Sequence, residues 1–138
     1  MNLSTSTLAA DNVVEVLEKI VEFTSRRHSI LTDNILNVNT KGFIPMDVNV
    51  DGFAGVIAEG LTEYLKSERL LLHDIQNITF GKNGSFQCPP AVDNNAVELF
   101  NTDLKEYLRF EIRKYSENLL NNKIGLELLR QRQELNQN

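Results

Sequence analysis

Few residues in this chain could do covalent or metal chemistry. Its two histidines are His28 and His73, and its single cysteine is Cys88. A histidine near neutral pH can serve as a base, a metal ligand or a pH sensor, but it needs a partner at a useful spacing. His28 falls within a helically spaced seam and reads as a packed or interfacial side chain. His73 has Asp74 beside it and no further spaced partner. Cys88 precedes Pro89 and Pro90, and no neighbouring charge in sequence would lower its pKa, so it reads as an incidental loop thiol. One cysteine rules out an intrachain disulfide framework and a multi-cysteine zinc site. There is no glycine-rich phosphate loop. The acidic residues recur at salt-bridge spacing, as solvated helix faces do, rather than as a paired acid and base. No catalytic residue, cofactor, metal or small-molecule substrate is therefore expected.

Charge removes another class. The net charge is −5, and residues 96–138 carry seven basic and seven acidic side chains, so the deficit lies in residues 1–95. An acidic chain gains little from a phosphate backbone, and Arg26-Arg27 is too small a basic patch for nucleic acid. No apolar run approaches the ~18 residues of a membrane span. Met1–Ala10 has neither the basic nor the apolar region of a cleavable secretory signal.

What remains is the pattern of the elements themselves. Residues 1–10 are small and polar and read as a mobile arm. Asp11 is a candidate N-cap for a helix over 11–36. Val14, Leu17, Val21, Thr24, His28, Leu31, Ile35 and Val38 step by three or four, a heptad-like seam. Residues 37–95 form an irregular middle. Asn37, Asn39, Gly42 and Pro45 are turn formers. Phe53, Val56, Ile57, Leu61 and Leu65 mark a short amphipathic helix weakened by Gly55 and Gly60. Residues 70–80 suit a strand or a helix end equally, and Asn83-Gly84 signals a tight turn. Residues 96–138 read as a second long helix and tail, starting near Val97. Its seam is Leu104, Leu108, Ile112, Tyr115, Leu119, Asn122, Leu126 and Leu129. With few aromatics and no tryptophan, the core is expected to rest on Leu, Ile and Val. The polar seam positions Thr24, His28 and Asn122 are either imperfections or devices that fix register. The fold class is mainly α, with two long terminal helices that must bury their seams on each other or on another subunit.

The residues Asn34, Ile35, Asn37, Asn39, Thr40, Gly42 and Phe43 close the first helix in a specific order. A helix stop alone needs less: an asparagine to accept a left-handed conformation or bond exposed backbone, and Gly42 for a positive φ. The fuller run resembles the N-terminal signature of bacterial flagellar axial proteins, Asn-Ile-x-Asn-x-(Asn/Asp)-Thr-x-Gly-(Tyr/Phe). Asp47-Val48-Asn49-Val50 looks like the Asp-Val-Asp-Phe that follows it in rod proteins of the FlgB type. Val97-Glu98-Leu99, Ser116-Glu117-Asn118, Leu120 and Leu128-Leu129 resemble the C-terminal helix of that type. Leu36, Lys41 and Asn122 depart from its usual residues.

The resemblance implies a structural subunit of the proximal rod of the flagellar basal body, which would transmit torque. Its partners would be itself, other rod proteins, the inner-membrane ring with its rod-adaptor proteins, and the type III export apparatus. It would reach the periplasmic rod without a cleaved signal. The terminal helices would pair as an antiparallel coiled-coil-like unit, with Leu17 near Leu126 and Leu31 near Leu108 or Ile112. The assembly seam would be Leu17, Val21, Leu31, Ile35, Leu104, Leu108, Ile112, Leu119 and Leu126. The other class open to such a chain is a soluble helical adaptor or export chaperone that binds a partner helix.

Overall fold

The computed structural model describes residues 3–81 and 85–137, with side chains over 12–81 and 85–135. The Asn83-Gly84 turn lies outside the described residues. The elements run in the order α1 (Leu3–Leu36), β1 (Met46–Asp47), α2 (Val50–Ser67), β2 (Ala91–Val92), α3 (Asn94–Thr102) and α4 (Leu104–Gln137). The fold is mainly helical, with α1 lying along α4 and, among the described residues, one two-stranded antiparallel sheet that pairs Met46 with Val92.

α1 starts at Leu3, so Asp11 sits inside the helix and does not cap it. The stretch from Leu3 to Leu36 holds no glycine or proline, and Leu8, Ala9 and Ala10 are strong helix formers. At 34 residues each, α1 and α4 are ~51 Å long. The second long helix is in fact two. Asp103 is extended at φ −154° and ψ 88°, which ends α3. Its side chain then accepts the Glu106 N–H at 3.1 Å and caps α4. The Asp103-x-x-Glu106 spacing is a capping-box signal that the continuous heptad reading passed over.

The main hydrophobic core lies between α1 and the middle segment. Phe23 of α1 stacks on Phe53 of α2 with centroids 4.0 Å apart, and Phe80 and Phe86 close around Phe53 at 6.1 and 6.0 Å. Val16, Val48, Val56, Ile57, Ile78 and Cys88 complete it. Four phenylalanines therefore carry a core expected to be aliphatic. Residues 70–80 are neither a long strand nor a helix end. Ile75 and Ile78 bond each other across a turn with Asn77 at φ 66°, and Thr79 and Gln87 exchange backbone bonds at 2.9 and 2.8 Å. Asp74 accepts the Phe80 N–H at 2.8 Å, which gives the His73-Asp74 pair a structural reading. Gly60 lets this segment cross α2, since a Cβ there would meet Leu72 Cδ2 at 2.8 Å and the Leu71 carbonyl at 3.0 Å.

Candidate assembly interface

The loop that closes α1 is built around Asn34, which is 1% exposed. Its amide nitrogen donates to the Met46 carbonyl at 2.7 Å, and its oxygen accepts the Met46 N–H at 3.2 Å. The side chain thus takes the place of a neighbouring strand for β1. The same nitrogen reaches Glu111 Oε2 at 3.2 Å, and the Asn34 carbonyl accepts the Tyr107 hydroxyl at 2.7 Å. Farther on, the Asn37 amide donates to the Asp33 carbonyl at 2.9 Å, and its oxygen accepts the Thr40 hydroxyl at 3.0 Å. These bonds hold the last turn of the helix. Neither Asn37 nor Asn39 is left-handed; Gly42 is, at φ 81°. That turn sends Phe43 edge-on against Phe100 of α3, 6.2 Å between centroids. Ile35 is half-buried and Asn39 exposed.

α1 and α4 are antiparallel. Asn34 meets Tyr107 and Glu111 at one end, and the Asn118 amide donates to the Thr24 carbonyl at 2.8 Å in the middle. The Asn122 amide reaches the Thr24 hydroxyl at 2.9 Å, and a Cβ on Gly125 would meet Val21 Cγ2 at 3.2 Å. This register sets Leu17 toward the Leu126 end of α4 and Leu31 toward Leu108 and Ile112. The side of α4 that meets α1 differs from the expected seam. Its buried positions are Tyr107, Glu111, Asn118 and Gly125, each one residue before Leu108, Ile112, Leu119 and Leu126. One residue is ~100° of rotation about a helix. Polar and small side chains therefore meet α1. Hydrogen bonding to the α1 backbone satisfies Asn118, and glycine permits close approach.

Among the described residues, the displaced apolar arc is left only partly covered. Leu104, Ile112 and Leu126 are 44%, 50% and 47% exposed, and Leu108 and Leu119 are half-buried. On α1, Leu31 and Leu17 are buried, while Val21 and Ile35 are half-buried. On the other flank of α4, Ile124 and Leu128 border a crevice of about 480 Å³ shared with Leu17, Phe53, Ile57 and Leu61. The seam polar residues are engaged: Thr24 and Asn122 bond as above, and His28 packs on Tyr115 with rings 5.0 Å apart.

A half-buried ion cluster, with only Glu111 fully enclosed, knots the signature loop to α4. Arg27 grips Asp47 with two bonds of 3.0 Å. Lys114 Nζ lies 3.2 Å from Asp47, 2.9 Å from Asp93 and 3.1 Å from Glu111. Burial pushes the Asp47 carboxyl up, but the Arg27 bonds and the nearby Lys114 outweigh it and hold its pKa below 3.8. Burial dominates at Glu111 and raises its pKa above 4.5 against the pull of Lys114. Burial also opposes the charge of Lys114, yet its three carboxylate neighbours hold its pKa above 10.5. Periodicity could not reveal this cluster, because Asp47, Asp93 and Lys114 come from three separate elements. The Cys88 thiol is buried in the phenylalanine core, and that burial raises its pKa, as for an inert thiol.

Among the described residues no group of His, Cys, Asp and Glu is arranged to hold a metal ion. No described helix is long and apolar enough to cross a membrane. The chain matches no protein-family model, no curated protein and no solved structure.

Proposed function

We propose that this chain is a structural subunit that polymerises through the open flank of its α1–α4 pair, and that the polymer is the proximal rod of the bacterial flagellar basal body. The observation that carries the reading is the row Leu104, Ile112 and Leu126, each near half exposed on a helix held firmly by a polar contact on its neighbouring face. Such a row is stabilised by burial against another helix at ~25 cal/mol per Å² removed from water. The order Asn34 to Phe43 favours an axial protein over other helical assemblies. In this reading the subunit is exported without signal cleavage, acts in the periplasmic rod, contacts other rod proteins and the inner-membrane ring with its adaptors, and catalyses nothing.

The test joins Ile112→Lys with Leu126→Lys. The double variant is expected to keep the monomer's circular dichroism and thermal midpoint, to abolish concentration-dependent assembly of the purified protein, and to abolish basal bodies in the parent organism. Normal assembly would refute polymerisation through this flank; assembly lost with basal bodies and motility intact would refute the rod. The crevice bordered by Phe53, Ile57 and Ile124 favours a second reading, an adaptor that seats one partner helix. A one-to-one complex with a single partner and no polymer at any concentration would select it.

A further inference from the structure

The ion cluster contains an imbalance of charge. Asp47, Asp93 and Glu111 supply three carboxylates, while Arg27 and Lys114 supply two cations, so the fully ionised cluster carries one surplus negative charge. The surplus falls on Glu111. Arg27 is committed to Asp47 through both of its bonds, and the ammonium of Lys114 makes hydrogen bonds to Asp47 and Asp93. The Glu111 side chain is 0% exposed, and its Oε1 has no hydrogen-bond partner, although Lys114 Nζ stands 3.1 Å away. Its other oxygen takes the Asn34 amide.

The groups that face it are few: Arg27 and Asn34 from α1, Asp47 from β1, Asp93 at the cap of α3, and Tyr107 and Lys114 from α4 itself. None supplies the missing positive charge. Taking a charged carboxylate out of water without a full partner is costly, and the usual relief is a proton. Protonation would remove the surplus charge and leave Oε2 able to accept from Asn34.

We propose that this cluster is a proton-operated clasp: one proton taken up at Glu111 balances its charge and tightens the joint between α1, α4 and the two-stranded sheet, and loss of that proton loosens it. The joint is where the Asn34 loop, both strands and the cap of α3 converge, so the clasp sets how rigidly the loop and Phe43 are presented. It stands independently of the rod reading.

The sign follows from linkage. A carboxyl whose folded pKa is raised gives its stabilisation in full below its unfolded value, near 4.5, and loses it as pH rises through the folded pKa. Asp47 works in a separate window, below 3.8.

The test uses the full-length chain. The Glu111 carboxyl is followed by carbon-13 NMR, and thermal midpoints are taken from pH 5 to pH 8 for wild type and Glu111→Gln. The Glu111 resonance is expected to titrate above 4.5, and the wild-type midpoint to fall with rising pH more steeply than that of the variant. The difference between the two removes the contributions common to both. A Glu111 titration at or below its ordinary value, or equal slopes, would overturn the clasp. Should Glu111→Gln fail to fold, Asp93→Asn keeps an oxygen for the α3 cap while removing one carboxylate. It is expected to bring the Glu111 titration down, and an unchanged titration in that variant would overturn the proposal equally.

Discussion

Replacing Asn34 by alanine tests whether the signature residue holds the fold itself. The side chain makes three hydrogen bonds in a site that is 1% exposed. Two go to the backbone N–H and carbonyl of Met46, and one to a carboxylate. Neutral bonds contribute about 1 kcal/mol each and a bond to a charged group about 1.5–3 kcal/mol, while each partner left buried and unpaired adds its own desolvation cost. These terms overlap, because β1 can shift toward water once released. The expected loss is about 3–4 kcal/mol, a large share of the stability of a small domain. Urea unfolding followed by circular dichroism measures it, with the slope against denaturant unchanged. Asn37→Ala is the control: its bonds lie at the surface, within one turn of helix, and its loss should stay below about 1 kcal/mol. Asn34→Asp sharpens the argument by keeping the acceptor for Met46 while setting a second carboxylate against Glu111. It should be worse than alanine at neutral pH and recover in acid. A loss below about 1 kcal/mol for Asn34→Ala, or one equal to that of Asn37→Ala, would refute the idea that this amide replaces a strand.

Gly42→Val should cost about 1–3 kcal/mol from backbone strain alone, since a Cβ there meets nothing within 4 Å; Gly42→Ala should therefore lose nearly as much in the same unfolding assay. Gly125→Leu should destabilise by about 1–3 kcal/mol through overpacking against Val21 and Ile20, measured as a lowered thermal midpoint, while Gly125→Ser should be milder. Acid should unfold the chain partly through Asp47. Its folded pKa lies below 3.8, so its contribution is present above that value and lost as pH falls through the folded one; Arg27→Ala should move the acid-unfolding midpoint upward.

The heptad steps in the sequence were sufficient to establish two long helices, because burial of an apolar stripe requires that period and little else produces it over so many residues. The order of Asn34, Gly42 and Phe43 was enough to place a helix end, a left-handed turn and a returning aromatic, since each residue type carries its backbone preference with it. Asp103 and Glu106 also held a legible helix start, masked by a seam that runs on across the break. Other features depended on the tertiary structure. Periodicity locates an apolar arc on α4 but not the direction from which α1 approaches, and the partner came in one residue away, on Tyr107, Glu111, Asn118 and Gly125. The phenylalanine core was hidden because Phe23, Phe53, Phe80 and Phe86 are far apart in sequence and share no repeat. The ion cluster was hidden for the same reason: whether Asp47, Asp93, Glu111 and Lys114 are solvated charges or one half-buried knot depends on distances that only the folded chain sets.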